Sequence, residues 1–462
     1  MKRIAIAIFG IMAWVAGWGQ EKEIVRDTNT LLFYLKSGKW QGHIRNYLMA
    51  TDNGRKELTD YYANALGIDV HYETATWKGF TAGFTTSFVY NTASSDLGKP
   101  DSVTGQFNRY EIGLFDLARP YQALIGTIDE LYLSYAWGKS KVVFGKQKLV
   151  TPWLNPQDGR MRPNFQEGLY LDWQDIKKLR VELAWLYRFL VRSTENWPSI
   201  AASIGQYPSG VTPDGVRSGY ANNLKSAGLG IVGITYTISP QIKTQIWNYF
   251  TENIFNTTFW QTEVEWSLQK DKSNKILMGL QLHYQTALNE GGNPDPTLAY
   301  IPKNQWNWAL SGRLGWKNEN SQITFNYTRV GNQGRFLFPR EWGRDPYYTF
   351  LPRERNEGFG DVNAFMVQYS QNLPKTKTKL ELAYGHYLLP DARNANLNKY
   401  AFPSYNQVNI NLVHQFRGIL KGLQGQFLYV YKGAIGELYE DPRLEFNKVN
   451  MHLYNLIFNY NF

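Results

Sequence analysis

The eleven residues from His452 to Phe462 alternate side-chain character with a period of two. Counting back from Phe462 in twos meets Tyr460, Phe458, Leu456 and Tyr454, an unbroken apolar and aromatic face. The other face carries Asn461, Asn459 and Asn455, interrupted by Ile457 and Leu453. Period two is the geometry of a β-strand, because successive side chains leave opposite faces of the backbone. The aromatic face runs to the last residue with no polar tail, which predicts a strand whose outer face meets lipid rather than water.

The same pattern recurs along the chain. In Leu179 to Arg192 the odd positions (Leu, Val, Leu, Trp, Tyr, Phe, Val) form a lipid-compatible face, and Arg180, Glu182, Arg188 and Arg192 fall on the other. Leu131, Leu133, Tyr135 and Trp137 oppose Glu130, Tyr132 and Ser134. Thr262, Val264, Trp266 and Leu268 oppose Gln261, Glu263 and Glu265. Trp306, Trp308, Leu310, Leu314 and Trp316 oppose Asn307, Ser311 and Arg313.

The connections alternate as well. Tight polar turns at 138–140, 177–178, 239–240, 271–274, 317–320, 372–376 and 417–422 interleave with long Gly/Pro/Asn-rich segments at 93–123, 150–167, 193–224, 287–304, 331–361, 388–403 and 433–447. Soluble domains rarely hold so many long loops, whereas membrane barrels pair short turns at one rim with long loops at the other. Strands laid between these connections number about eighteen, and 228–252 alternates ambiguously. The expected fold is all-β: a transmembrane antiparallel up-and-down barrel over residues 40–462.

Composition agrees. Aromatic residues make up 16% of the chain, enough for the girdles that flank a barrel's lipid belt. Past the N-terminus there is no apolar run long enough for a membrane helix, and the mean hydropathy is negative because only alternate residues face lipid. Lys2 and Arg3 precede the apolar run Ile4 to Val15 and then small residues, which predicts an export leader over residues 1–19. Residues 20–39 read as a periplasmic lead or an extension of the first strand. With no cysteine there is neither a disulfide nor a thiolate metal site. The net charge of +10, two less once Lys2 and Arg3 leave, is scattered and forms no basic stripe for nucleic acid. A lumen that attracts anions is the better use for it.

Residues 151–168, with three prolines and two glycines, make a stiff loop that can fold inward and narrow the bore. Here two resemblances enter. The closing strand, with Tyr454, Leu456, Phe458, Tyr460 and Phe462, resembles that of bacterial outer-membrane barrels, where the terminal Phe is an assembly signal. Gly145-Lys146-Gln147, Thr151-Pro152, Asn155 to Gly168 and Leu179 to Thr194 resemble the OprD family of substrate-selective outer-membrane porins. Gly42 to Tyr47, Phe338-Pro339 through Arg355-Asn356, Asp361 to Phe365, and Tyr405 to Leu423 extend that resemblance. It implies an eighteen-stranded barrel, a third outer loop that constricts the pore, and passive uptake of small polar nutrients, often carboxylates. It also implies a ladder of basic lumen side chains. Arg45 fits the first-strand arginine, but Gly422-Leu423-Gln424-Gly425-Gln426-Phe427-Leu428 lacks the two arginines the family carries there.

The expected constriction is Asn155, Asp158, Arg160, Arg162 and Asn164, and the expected lumen wall is Arg45, Arg180, Glu182, Arg188, Arg192, Glu263, Glu265 and Arg313. Arginine forks suit a carboxylate, and Asp and Asn accept from hydroxyls or amines. Because acidic groups share the wall, the field is mixed. The six histidines show no metal-ligand spacing, and no Ser/His pair suggests an enzyme. No metal, cofactor or nucleotide is expected. The expected partners are outer-membrane lipid, small polar solutes and the barrel-assembly machinery, in a monomer or trimer. The competing readings are a general diffusion pore and a structural barrel whose loops, such as 331–361, dock another envelope protein.

Overall fold

The computed structural model describes residues 30–156, 159–268, 273–353 and 355–462. The expected leader at 1–19 and Asp158 lie outside the described residues. Thr30 caps a short helix, α1 (Leu31–Lys36), by accepting from the Phe33 amide. The residues just before the first strand are thus helical and do not lengthen it.

The described residues form eighteen strands. Those of the first half are β1 (Lys39–Asp52), β2 (Tyr61–Glu73), β3 (Phe80–Ser94), β4 (Leu124–Trp137), β5 (Ser140–Gln147), β6 (Phe165–Trp173), β7 (Leu179–Leu190), β8 (Leu229–Ser239) and β9 (Ile242–Thr251). The second half comprises β10 (Phe255–Ser267), β11 (Lys275–Ala287), β12 (Trp306–Lys317), β13 (Ser321–Val330), β14 (Val362–Leu373), β15 (Thr378–Leu388), β16 (Tyr405–Gln415), β17 (Leu423–Ala434) and β18 (Met451–Asn461). Each pairs antiparallel with its sequence neighbours, and β18 returns to β1 with Arg45 opposite Asn459. Closure leaves no sheet edge and pairs the backbone groups that lipid could not satisfy. The ambiguous stretch resolves into β8 and β9, joined at one rim by residues 240–241 and followed by a tight turn to β10 at the other.

Alternation sorts the faces as expected. Leu131, Leu133, Trp185, Trp266, Leu280, Leu282, Trp306, Leu314, Tyr454 and Tyr460 are exposed on the outer wall. Asn307, Ser311, Gln281, His283 and Asn455 are buried inside.

The core lies within the cylinder, where loops from the long-loop rim fill it. The largest apolar cluster joins L3 (148–164), L4 (191–228) and L7 (331–361) to the inner wall of β7–β14, through Trp153, Ile200, Phe336, Trp342 and Tyr347. A second cluster packs L2 (95–123) and L9 (435–450) against β1–β4, β17 and β18. Residues 331–361, expected as a long outer loop, are largely interior: Phe336 and Trp342 are 0% exposed. L7 therefore folds inward beside L3 and L4, and the apolar surface a docking loop would need is used inside the barrel.

Candidate functional site

L3 leaves β5 early and turns at once. The Thr151 amide donates to the Leu154 carbonyl at 2.7 Å, and the Leu154 amide returns a bond to Thr151 Oγ1 at 3.1 Å. This small loop presents Trp153, fully buried in a socket of Phe259, His283, Phe336, Phe338 and Tyr347, with ring centroids 4.9 to 6.0 Å away. Tyr249 Oη donates to Thr151 Oγ1 at 2.9 Å and accepts from the Trp153 amide at 3.3 Å. Edge-on and tilted aromatic pairs of this kind add to plain burial. Asn155 then ties L3 to L7, donating to the Arg344 carbonyl at 3.0 Å and accepting from its amide at 3.1 Å. A Cβ at Gly343 would sit 1.9 Å from the Trp153 carbonyl oxygen, so only glycine permits this approach.

The expected constriction residues do not all meet at one place. Asn155 is a fastener between two loops. Arg162 is buried in an ion pair, with Nη1 3.0 Å from Asp129 Oδ1 and 2.5 Å from Thr127 Oγ1, which makes it a staple to β4. Asn164 is 1% exposed and accepts from the Arg192 amide at 2.9 Å, holding the start of L4. Only Arg160 combines with other cations. Its carbonyl accepts from Arg45 Nη1 at 2.7 Å, and its guanidinium donates to the Gly159 carbonyl. Burial, then the neighbouring charges of Arg353 and Arg192, push its pKa down to about 9, so it stays protonated at neutral pH.

The wall residues divide in a similar way. Arg45 also donates through Nε to Asn459 at 2.7 Å. Arg180 is paired with Asp172 at 2.8 Å and Glu182 at 3.1 Å; Arg313 with Glu263 at 2.8 Å; and Glu265 with Lys317 at 2.6 Å and Lys275 at 3.1 Å. These acids are internally compensated on the lumen wall. Arg192 lies just past β7, its Nε 3.1 Å from Tyr207 Oη.

Arg188 corrects the expectation. The β6–β7 register jumps from Gly168↔Leu186 to Glu167↔Arg188, so Tyr187 is an extra residue. One inserted residue reverses which face the following side chains take. Phe189 turns into the core, fully buried, and Arg188 shares the outer face with Glu167.

Pattern reading missed the most consequential cation. Arg353, in L7, reaches the inner wall of β1 and β18: Nη2 donates to Tyr47 Oη at 2.7 Å and to Asn455 Oδ1 at 2.6 Å, and Nη1 to the Gly159 carbonyl at 3.3 Å. Its own carbonyl accepts from Lys432 Nζ at 2.8 Å, on β17. Arg45, Arg160 and Arg353 thus gather beside the β1–β18 wall, and Arg192 approaches Arg160 from the β7 side. Carboxylates near them include Asp69, bound to His43 at 2.8 Å, Glu111, buried in L2 between Thr51 and Asn108, and Glu341, which accepts from the Gly205 and Tyr207 amides. A signal was available, since Arg335, Arg340, Arg344, Arg353 and Arg355 crowd one loop.

Two recesses open beside L3. One, of about 160 Å³, lies between His43, Arg45 and Asp69 of the wall and Pro156, Met161 and Pro163 of the loop. The other, of about 250 Å³, is lined by Thr151, Pro152, Arg180, Glu182, Lys243 and Gln261, among others. Among the described residues no group of three or more His, Cys, Asp or Glu could hold a metal ion.

A closed barrel with inward loops and a charged, watered interior defines an outer-membrane porin. Residues 134–369, just over half of the chain, match the profile of the outer membrane porin, OprD family, and the chain belongs to that family. The fold is shared with solved structures. Pseudomonas aeruginosa OpdK, crystallised with vanillate, aligns with a TM-score of 0.71 at 12% identity over 93% of this chain and 99% of its own. OccK8 (OprE) of the same organism gives 0.70 at 14% identity, with coverage of 93% and 99%. Acinetobacter baumannii OccAB4 gives 0.69 at 16%, with coverage of 92% and 98%. Comparison with curated protein sequences finds no match. The protein's place is therefore the outer membrane, with the short turns at the periplasmic rim.

Proposed function

We propose that this porin conducts small polar solutes passively, with a preference for anions of the carboxylate type, through a constricted lumen of mixed charge. The observation that carries this reading is the gathering of Arg45, Arg192 and Arg353 around Arg160, while Glu182, Glu263 and Glu265 have basic partners of their own. Arginine forks match a carboxylate's two oxygens. In a confined lumen the charges are less screened than in bulk water. Because the four arginines already hold carbonyl, amide or phenol groups, each added contact to a solute exchanges for an existing one, which keeps binding weak enough for release. Loop cations then stand in for the two arginines absent from β17. The relative crystallised with vanillate, itself a carboxylate, is consistent with this chemistry.

A general diffusion pore is the competing reading, and the compensated ion pairs around Arg180, Arg313 and Glu265 favour it. Reversal potentials in planar bilayers under a salt gradient separate the two. Anion preference supports the proposal, and cation preference overturns its selective part. Absence of conductance from a folded barrel overturns the channel itself.

A further inference from the structure

The periplasmic turns carry a pattern that conduction does not use. The turn between β14 and β15 reads Asn372-Leu373-Pro374-Lys375-Thr376-Lys377, and that between β16 and β17 reads Phe416-Arg417-Gly418-Ile419-Leu420-Lys421-Gly422. Neither contains a carboxylate. Two hydrogen bonds join them into one surface: Arg417 Nη2 donates to the Lys375 carbonyl at 2.6 Å, and the Gln415 amide to the Lys377 carbonyl at 3.0 Å. The chain folds Ile419 and Leu420 into a short 3₁₀ turn that packs neither away: Ile419 is fully exposed and Leu420 is 46% exposed, beside Leu373 at 43%. Lys375, Lys377 and Lys421 are exposed around them.

The outer wall gives the depth of this patch. Phe427, Tyr460 and Phe462 are exposed on the outer face of the adjoining strands, and aromatic residues at a barrel's rim lie at the headgroup level of the bilayer. Exposed apolar side chains flanked by lysine at that level have the composition of a membrane-interface segment: the apolar groups enter the headgroup boundary and the ammonium groups meet lipid phosphate. The turn before β7 carries a related pair, Ile176 exposed ahead of Lys177 and Lys178, although it also holds Asp175, which accepts from the Lys139 amide and Ser140 Oγ.

We propose that the joined turns 372–377 and 416–422 form a docking surface for anionic phospholipid headgroups of the inner leaflet, with Ile419 and Leu420 entering the interface. The lysines face a negatively charged leaflet surface, and each contributes about fivefold to partitioning there.

The test uses the purified full-length barrel, stripped of lipid in detergent and titrated with phosphatidylglycerol or phosphatidylcholine, with retained lipid counted by native mass spectrometry. The wild-type protein retains phosphatidylglycerol preferentially. The K375Q/K377Q/K421Q variant, checked for folding by its heat-dependent gel migration and keeping the Arg417 staple, loses that preference by roughly tenfold or more. Because the chain has no cysteine, Ile419→Cys takes a single environment-sensitive fluorophore. Its emission shifts to the blue in vesicles containing phosphatidylglycerol relative to pure phosphatidylcholine vesicles. Equal retention of the two lipids by the wild type overturns the proposal and favours an acidic periplasmic protein as the occupant. Unchanged retention by the triple variant, or a label that reports water in both vesicles, overturns it as well.

Discussion

Arg353 donates to Tyr47 Oη at 2.7 Å across 306 residues of sequence, so a side chain from L7 supplies a cation to the wall formed by the first and last strands. The strands themselves supply Arg45 from β1 and Lys432 from β17 to this region, where β17 otherwise offers Gln424 and Gln426. The lumen's charge is thus set by loop folding as much as by strand composition.

Replacing Arg353 by Gln removes one cation from this group and leaves the strands intact. The ratio of anion to cation permeability falls by roughly threefold, the size expected for one partly screened charge at a few ångströms in a watered lumen. Reversal potentials measure it. Arg188→Gln, on the outer face beside Glu167, leaves the ratio unchanged.

Trp153→Ala empties the socket between L3 and L7. A buried Trp-to-Ala change costs about 3–5 kcal/mol where the site cannot collapse, and the loop it anchors loses its hold on β9–β11. The expected result is a lower thermal midpoint together with a larger single-channel conductance. Gly343→Ala reaches the same outcome by another route, since its methyl group would collide with the Trp153 carbonyl.

Asp129→Ala strands Arg162 as a buried unpaired charge, at a cost of about 3–5 kcal/mol. Replacing both partners, Asp129→Leu with Arg162→Met, recovers much of that loss, because burying two apolar groups avoids the desolvation of an unmatched ion. Unfolding midpoints of the single and double variants give the coupling.

Lys399, in the loop after β15, is caged by Tyr220, Tyr300 and Tyr400, with Nζ 3.1 Å from Tyr220 Oη. Burial, which outweighs the attraction of Glu357, pushes its pKa down to about 8. Between that value and the ordinary lysine value near 10.4, the unfolded chain holds the proton and the folded protein does not, so stability rises with pH in that window. The gain reaches about 3 kcal/mol at its upper end, and below pH 8 the full penalty of burying the ammonium is present. Thermal midpoints of wild type and Lys399→Met, compared from pH 7 to pH 10, converge if the cage is the cause, as the wild type gains relative to the variant.

Much of the barrel is legible in the sequence because its rules are local. Period-two alternation assigns Leu131, Trp266 and Tyr460 to the outside and Gln281 and Asn455 to the inside, and lipid enforces that choice on every strand. The rhythm of short and long connections gives the strand number, and β18's neighbour follows from closure. Alternation placed Arg180, Glu182, Glu263, Glu265 and Arg313 on the inner face on the same ground, while Arg45 entered through the resemblance to the family's first-strand arginine.

What alternation could not carry, the tertiary structure decided. A single extra residue, Tyr187, reverses the face of Arg188, and no local signal in an otherwise regular strand marks it. Arg162 became a staple because Asp129 stands across from it, a pairing between a loop and a strand 33 residues apart. L7 reads as an outer loop, yet its aromatic residues are buried when the cylinder offers them an apolar socket around Trp153, and that burial brings Arg353 to Tyr47. Strand identity is a property of neighbours in sequence. The lumen's charge is a property of loops that meet only after the cylinder has closed.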